Sequence, residues 1–291
     1  MNKFLERLQS GKTLVADGAT GTNLHKMGLQ PGIAPEDLVL DQPELILKLE
    51  SAFTAAGSDI ILTCTFGGTR LRMKDSKYAQ RVTEVNTRAA ELARKAASTR
   101  SGILVAGSIG PTGLLMKPYG PLTPDEACAA FTEQVQGLVA GGVDLLVIET
   151  MFAFDEADAA FKAARIVTDL PVVVSFSYDR GVRTMMGVKP AVMIKRYKEM
   201  GAALVGANCG TSLENMEKVA QEYAAAEPGF PLWIKPNAGL PRMVDGNTVF
   251  DVTPEQMGEF ARKYSALGAR VVGGCCGNTP EHIAAIVKSV N

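Results

Sequence analysis

Two cysteines stand side by side in "VVGGCCGNTP", residues 271–280, and a third lies in "GANCG", residues 206–210. A strand core has no use for a sulfur pair, and adjacent cysteines seldom bond to each other. Three thiolates brought to one point make a zinc site. Zinc takes sulfur ligands at ~2.3 Å in tetrahedral geometry, and three protein ligands leave its fourth position open. Consecutive side chains on a regular strand point to opposite faces, so Cys275 and Cys276 must leave strand geometry to share an ion. Gly273, Gly274 and Gly277 permit that, as Gly210 does beside Cys209. The alternative is that these cysteines are small apolar fillers, and the absence of a CxxC knuckle keeps it open. Cys128, in "DEACAAF", reads as inert core; Cys64, in "LTCTF", sits at a strand end and is ambiguous.

Other polar residues share the pattern. Asp17 and Glu149 form a carboxylate pair suited to an ammonium group, although each also fits a capping or loop role. Asn237 belongs to the site or satisfies backbone at a turn. Lys235, two residues earlier, shares its strand face. A buried lysine can form a Schiff base, which motivates an aldolase-like alternative, but such a lysine is more commonly paired or snorkelled.

The elements that must position these residues are eight short, nearly continuous apolar runs: 13–19, 59–65, 103–109, 145–150, 171–177, 203–209, 231–237 and 270–276. Continuous rather than alternating hydrophobicity marks strands covered on both faces. Helical patterns lie between them, as at 43–57 and 253–268. Thr123, Thr253 and Thr279 each precede a proline in a helix-opening signature. Glycine closes the helices before "SDI", "VDLL", "AALV" and "ARVV". Repeated strand, helix, glycine and strand predicts a single (β/α)8 TIM barrel over 1–291, with longer loops within 20–42, 66–80 and 110–122. A doubly wound open sheet is the competitor. Barrel enzymes work at the carboxyl ends of their strands. Asp17, Cys64, Thr65, Ser108, Glu149, Ser175, Ser177, Cys209, Asn237, Cys275 and Cys276 all fall there.

Composition excludes several classes. A formal net charge of −1 over 291 residues leaves no electrostatic footprint for nucleic acid or anionic membrane. No apolar run reaches the ~20 residues of a membrane span, and the opening "MNKFLERLQSGK" lacks a signal-peptide core. Five cysteines make no disulfide framework and suit reduced thiols, which points to the cytoplasm. "GSIGPTG", at 107–113, spaces its glycines wrongly for a dinucleotide loop. Neither His25 nor His282 lies in an Asp-x-His-x-x-Gly cobalt-ligating context.

"GANCG" and "GGCCG", with "DGATGT" at 17–22, "IET" at 148–150 and "PNAGLP" at 236–241, resemble the homocysteine S-methyltransferase family. The likeness is strongest to the homocysteine-binding module of cobalamin-dependent methionine synthase. It implies a zinc-containing barrel with Cys209, Cys275 and Cys276 as ligands, homocysteine as acceptor and methionine as product. It also implies that Asp17 and Glu149 hold the amino group and that Asn237 lies beside the metal. The backbone of Gly18, Ala19 and Thr20 would meet the carboxylate, with Thr65 in the same pocket. "LTCTF", at 62–66, departs from the family's "ETNTF" and puts amino-acid recognition in question. Only a thiolate is a good nucleophile; zinc would supply that form, and a methyl group has no proton to move, so no histidine base is needed. The expected donor is a methyl-corrinoid on a separate protein, with S-methylmethionine or a betaine as the alternative. A non-catalytic zinc- or thiol-binding protein is the reading from another class.

Overall fold

The fold is described from a computed structural model, for residues 2–244 and 247–291. The strands are β1 (Leu14–Val15), β2 (Ile60–Leu62), β3 (Leu104–Ile109), β4 (Leu145–Met151), β5 (Val172–Phe176), β6 (Leu204–Cys209), β7 (Leu232–Pro236), β8 (Arg242–Val244), β9 (Asn247–Val249) and β10 (Ala269–Val272). Eight of them form one sheet in the order β1-β10-β7-β6-β5-β4-β3-β2, every ladder parallel. A bridge between Ala16 and Ile60 closes the ring, with the Asp17 N–H donating to the Ile60 carbonyl at 3.0 Å. The (β/α)8 barrel expected from the eight runs is therefore the observed architecture, and the open sheet is not.

Leu14, Leu104, Leu145, Val147, Leu204, Trp233 and Val271 fill the barrel interior, and the alternate strand residues pack under the helices. Each residue type follows from its position, since parallel strands are buried on both faces. Prolines at the starts of Pro124–Ala140, Pro254–Ala266 and Pro280–Val290 occupy the first turn, behind capping boxes at Thr123, Thr253 and Thr279. The helices expected at 43–57 and 253–268 run Pro43–Ala55 and Pro254–Ala266.

Three differences from the expectation bear on the site. The first two strands are shorter than 13–19 and 59–65, because the chain turns towards the mouth just past Val15 and Leu62, where the Asp17 carboxylate takes the Leu62 N–H at 2.7 Å. The last strand stops at Val272, so Cys275 and Cys276 lie beyond the ladder. Two elements had no strong periodic signal. The helix Lys3–Gln9 puts Phe4 against the barrel-interior cluster, and the β8–β9 hairpin follows the seventh barrel strand.

Candidate active site

Cys209 ends β6 with φ +57°, an unusual value for a residue with a side chain, and Gly210 follows at φ +80°. This left-handed pair turns the Cys209 sulfur towards the tight turn after β10. There the Sγ atoms of Cys209 and Cys275 are 3.0 Å apart, and all three sulfurs of Cys209, Cys275 and Cys276 lie within 4.8 Å of one another. Ligands ~2.3 Å from a tetrahedral ion stand roughly 3.8 Å apart, so this cluster can close on one metal with small side-chain shifts. Hydrogen bonds from Cys209 and Cys275 hold the Cys276 thiol well below the usual range, while those two thiols are pushed up. Three thiolates in so small a volume need a cation to offset their repulsion.

The backbone around the sulfurs is tightly held. Asn278 Nδ2 donates to the Pro236 carbonyl at 3.0 Å and the Cys275 carbonyl at 3.1 Å. A Cβ on Gly274 would lie 2.3 Å from Asn278 Cγ, so that position excludes any larger residue. Asn237 donates to the Gly210 carbonyl and accepts from the Cys276 N–H, both at 3.0 Å. Its amide clamps the two cysteine-bearing loops to each other and is not on the cavity wall.

Sequence reasoning missed Asn208. This buried side chain accepts from the Thr150 N–H at 2.8 Å and the Ser175 hydroxyl at 2.7 Å. Its Nδ2 faces Cys209 Sγ at 3.7 Å and Cys275 Sγ at 3.9 Å. The available signal was its place inside "GANCG", pointing inward one residue before the turn.

Below the sulfurs a cavity of about 480 Å³ opens at the barrel mouth. Gly18, Ala19, Thr20, Thr65, Glu149 and the three cysteines line it; Asp17 does not. Asp17 instead stands behind Lys235, its Oδ1 2.7 Å from Nζ and its Oδ2 on the Leu62 N–H. Burial pushes the Asp17 carboxyl up and the Lys235 ammonium pulls it back. Burial also works to deprotonate Lys235, but the charges of Asp17 and Glu149 outweigh it and raise the lysine above its ordinary range. An ammonium held in that form is no Schiff-base nucleophile, which removes the support for aldolase chemistry.

Glu149 accepts from the Ser108 hydroxyl at 2.5 Å, and burial raises its carboxyl to about 7. The Thr65 hydroxyl is spent on the Ser108 carbonyl at 2.7 Å and on Thr63 at 2.6 Å. In the 17–22 loop the Ala19 N–H goes to the Asn278 carbonyl at 3.1 Å, while Gly18 packs so closely on that same oxygen that a Cβ would lie 2.7 Å from it. Cys64 is on the cavity wall but outside the sulfur cluster, its thiol pushed well up by burial. Cys128 is buried in its helix, as expected.

Comparison with known proteins agrees with this geometry. The family model described as homocysteine S-methyltransferase matches residues 14–290. Among solved structures, the metallated form of homocysteine methyltransferase MmuM from Escherichia coli is 24% identical, with a TM-score of 0.82 over 98% of this chain and 99% of that one. The oxidized form of the same protein is 25% identical, with a TM-score of 0.81 over 98% of each chain. A methyltransferase from Methanosarcina mazei shares the fold at 12% identity and a TM-score of 0.62, over 99% of this chain and 96% of that one. With a family model spanning all eight barrel strands and the sulfur cluster at their mouth, the chain belongs to the homocysteine S-methyltransferase family.

Proposed function

We propose that the protein transfers a methyl group to the thiol of homocysteine, giving methionine, with a zinc ion held by Cys209, Cys275 and Cys276. The observation that carries this reading is the cluster of three sulfurs at the edge of a cavity whose floor presents charged groups to an amino acid. Zinc, when bound, supplies the positive charge that lets an acceptor sulfur lose its proton near neutral pH. The chain's own residues do the rest. Asn208 donates towards two of the ligand sulfurs, and Asn237 fixes the two loops that carry them. Glu149 receives the acceptor's ammonium, and Asp17 contributes its charge through Lys235. Gly18, Ala19 and Thr20 shape the wall beside the acceptor's backbone, and Thr65 holds the neighbouring loop. Free thiols suit the reducing conditions of the cytoplasm.

The methyl donor in this reading is a methyl-corrinoid carried by a separate protein. The rim of the mouth supports it: Leu115, Tyr119, Met185, Met186 and Leu240 are exposed on loops that follow barrel strands, and Met243 is exposed on β8. Apolar side chains concentrated around one opening suit a protein partner. A small cationic donor, such as S-methylmethionine or a betaine, is favoured by a different observation. Glu36, buried on the cavity wall, could receive a positive charge there. Metal content of protein purified without added zinc, followed by methionine formation with each donor, tests both. One zinc per chain, lost in Cys276→Ala, and turnover only with methyl-corrinoid are expected. Turnover with S-methylmethionine alone would reverse the donor assignment, and tight zinc binding without any methyl transfer would leave a storage protein.

A further inference from the structure

A second, smaller cleft opens at the same end of the barrel, between the loop after β3 and the start of the helix Phe154–Val167. Leu115, Tyr119, Phe152 and Met186 wall it, and its charged residues are Asp155, which is exposed, and Glu156, which is buried. Glu156 is 2% exposed, and its Oε1 accepts from the Thr112 N–H at 2.7 Å and the Thr112 hydroxyl at 2.6 Å. Oε2 has no hydrogen-bond partner among the described residues and is not sealed from solvent. Burial pushes this carboxyl up and only Thr112 pulls it back; among the described residues no cation acts on it. Lys117, on the same loop as Leu115, acts on Glu126 instead. A recessed carboxylate demands a partner of opposite charge, and the described residues supply none. The cleft has a volume of about 30 Å³, room for roughly two or three water-sized groups. That suits the end of one side chain and not a free metabolite.

We propose that this cleft is a docking socket for a lysine or arginine side chain presented by the protein that delivers the methyl group, with Glu156 as its counter-ion. The inference rests on the reading in which a separate protein carries that group, and deepens it by stating what the partner's surface must present. Charge complementarity commits the occupant. A basic side chain is an apolar stem ending in a cation; the stem matches Leu115, Phe152 and Met186, and the head matches Glu156. Tyr119, 71% exposed, adds an aromatic face for the same cation. An apolar plug would bury Glu156 without a partner, and an acidic one would meet two carboxylates. Single side chains seated in recessed pockets are where the energy of an interface concentrates. The position fits delivery as well. Phe152 lies two residues past Thr150, which lines the main cavity with its hydroxyl 4.0 Å from Cys209 Sγ. A partner seated in the cleft therefore stands beside the opening that leads to the sulfurs.

Peptide titration followed by NMR tests the socket without any methyl donor. The probes are N-acetyl-glycyl-lysyl-glycinamide and the same peptide with its lysine acetylated on Nε, which keeps the stem and removes the charge. The readout is the methyl resonances of Met116 and Met186 on the cleft wall, assigned through Met116→Leu and Met186→Leu. The charged peptide should shift both methyls saturably and bind at least roughly ten-fold more tightly than the acetylated one, the size of a hydrogen bond to a charged group. Glu156→Gln keeps an oxygen for Thr112 but carries no charge, and should make the two peptides equal. Asp155→Asn, a change at an exposed position, leaves the Thr112 contact alone and should narrow the preference roughly two-fold. Absence of saturable shifts, equal affinities in the native protein, or a preference that survives Glu156→Gln would overturn the inference and leave the donor reading to its own turnover assay. A dimer in sedimentation that Glu156→Gln dissolves would give the cleft to a second copy of this chain and overturn the partner named here. Turnover with S-methylmethionine alone would overturn the donor reading, and that partner with it.

Discussion

The side-chain oxygen of Asn237 accepts the Cys276 N–H at 3.0 Å, while its amide nitrogen holds the Gly210 carbonyl at the same distance. One side chain thus joins the turn that carries two of the sulfurs to the segment that carries the third. Neither loop has regular structure at that point, so their relative position rests on Asn237, with Asn278 pinning the Cys275 carbonyl from the other side.

Asn237→Ala should therefore lower metal affinity more than it lowers fold stability. Groups that orient metal ligands typically contribute ~10–100-fold to affinity, whereas two lost hydrogen bonds to backbone cost about 1–3 kcal/mol. Competition with a graded chelator should show the variant losing its metal first, with a circular-dichroism spectrum like that of the native protein. Retention of metal equal to the native protein would mean that the loops are fixed by other contacts.

Glu50 offers a stability prediction that needs no ligand. It is 5% exposed, on the helix Pro43–Ala55, and among the described residues neither carboxylate oxygen has a hydrogen-bond partner. Burial, reinforced by the negative charge of Asp17, pushes its carboxyl well above the usual value. The folded protein then binds a proton that the unfolded chain releases near pH ~4.3. The full contribution to stability is present below that value and is lost as pH rises through the folded one. Glu50→Leu should raise stability at pH 8 by about 1–3 kcal/mol, visible as a higher melting temperature, and the gain should vanish towards pH 4. A gain that persists unchanged at low pH would point to packing and not to the charge.

Much of this was legible in the sequence, because parallel strands buried on both faces and proline-opened helices write themselves locally. The three thiols were also legible, since strand-end position and flanking glycines are sequence properties. What escaped was pairing across the barrel. Nothing near Asp17 in the chain says that its partner is Lys235, 218 residues away. Asn208 was hidden for a similar reason: its contacts reach Thr150, Ser175 and Cys275 on other strands and turns. Strand ends β1 and β2 were overextended because the apolar run continues past the last ladder bond, and a run of residue types does not record where the backbone turns away.

Gly206 carries a prediction that needs no ligand. A Cβ built there would lie 1.7 Å from the Trp233 carbonyl oxygen, a backbone atom of the neighbouring strand. Relief requires β6 and β7 to separate, which would also displace Asn208 and Cys209 at the end of β6. Gly206→Ala should cost ~3 kcal/mol or more, at the exceptional end for a single substitution, read as a marked fall in denaturation midpoint or as insoluble protein. A stable variant with native metal content would show that the strands have slack which the packing does not reveal.

Glu149 links the carboxyl near the sulfurs to a pH dependence of acceptor choice. Burial, with a further push from Cys275, raises this carboxyl to about 7. Only its ionised form attracts the ammonium of homocysteine, so that contact strengthens as pH rises through this range. A cation on the sulfurs pulls the other way, which moves the window below 7 in metal-loaded protein. Thiol ionisation also changes with pH, but it affects homocysteine and its deaminated analogue 4-mercaptobutyrate alike. The ratio of their dissociation constants isolates the ammonium contact and should shift towards homocysteine between pH 5.5 and 8, an interval chosen to bracket the carboxyl. The shift should be several-fold, given the energy of a charge-assisted hydrogen bond. In Glu149→Gln, which keeps the shape and the Ser108 contact but cannot ionise, the ratio should stay flat. A flat ratio in the native protein would place the ammonium elsewhere in the cavity; a sloping ratio in the variant would assign the titration to another group.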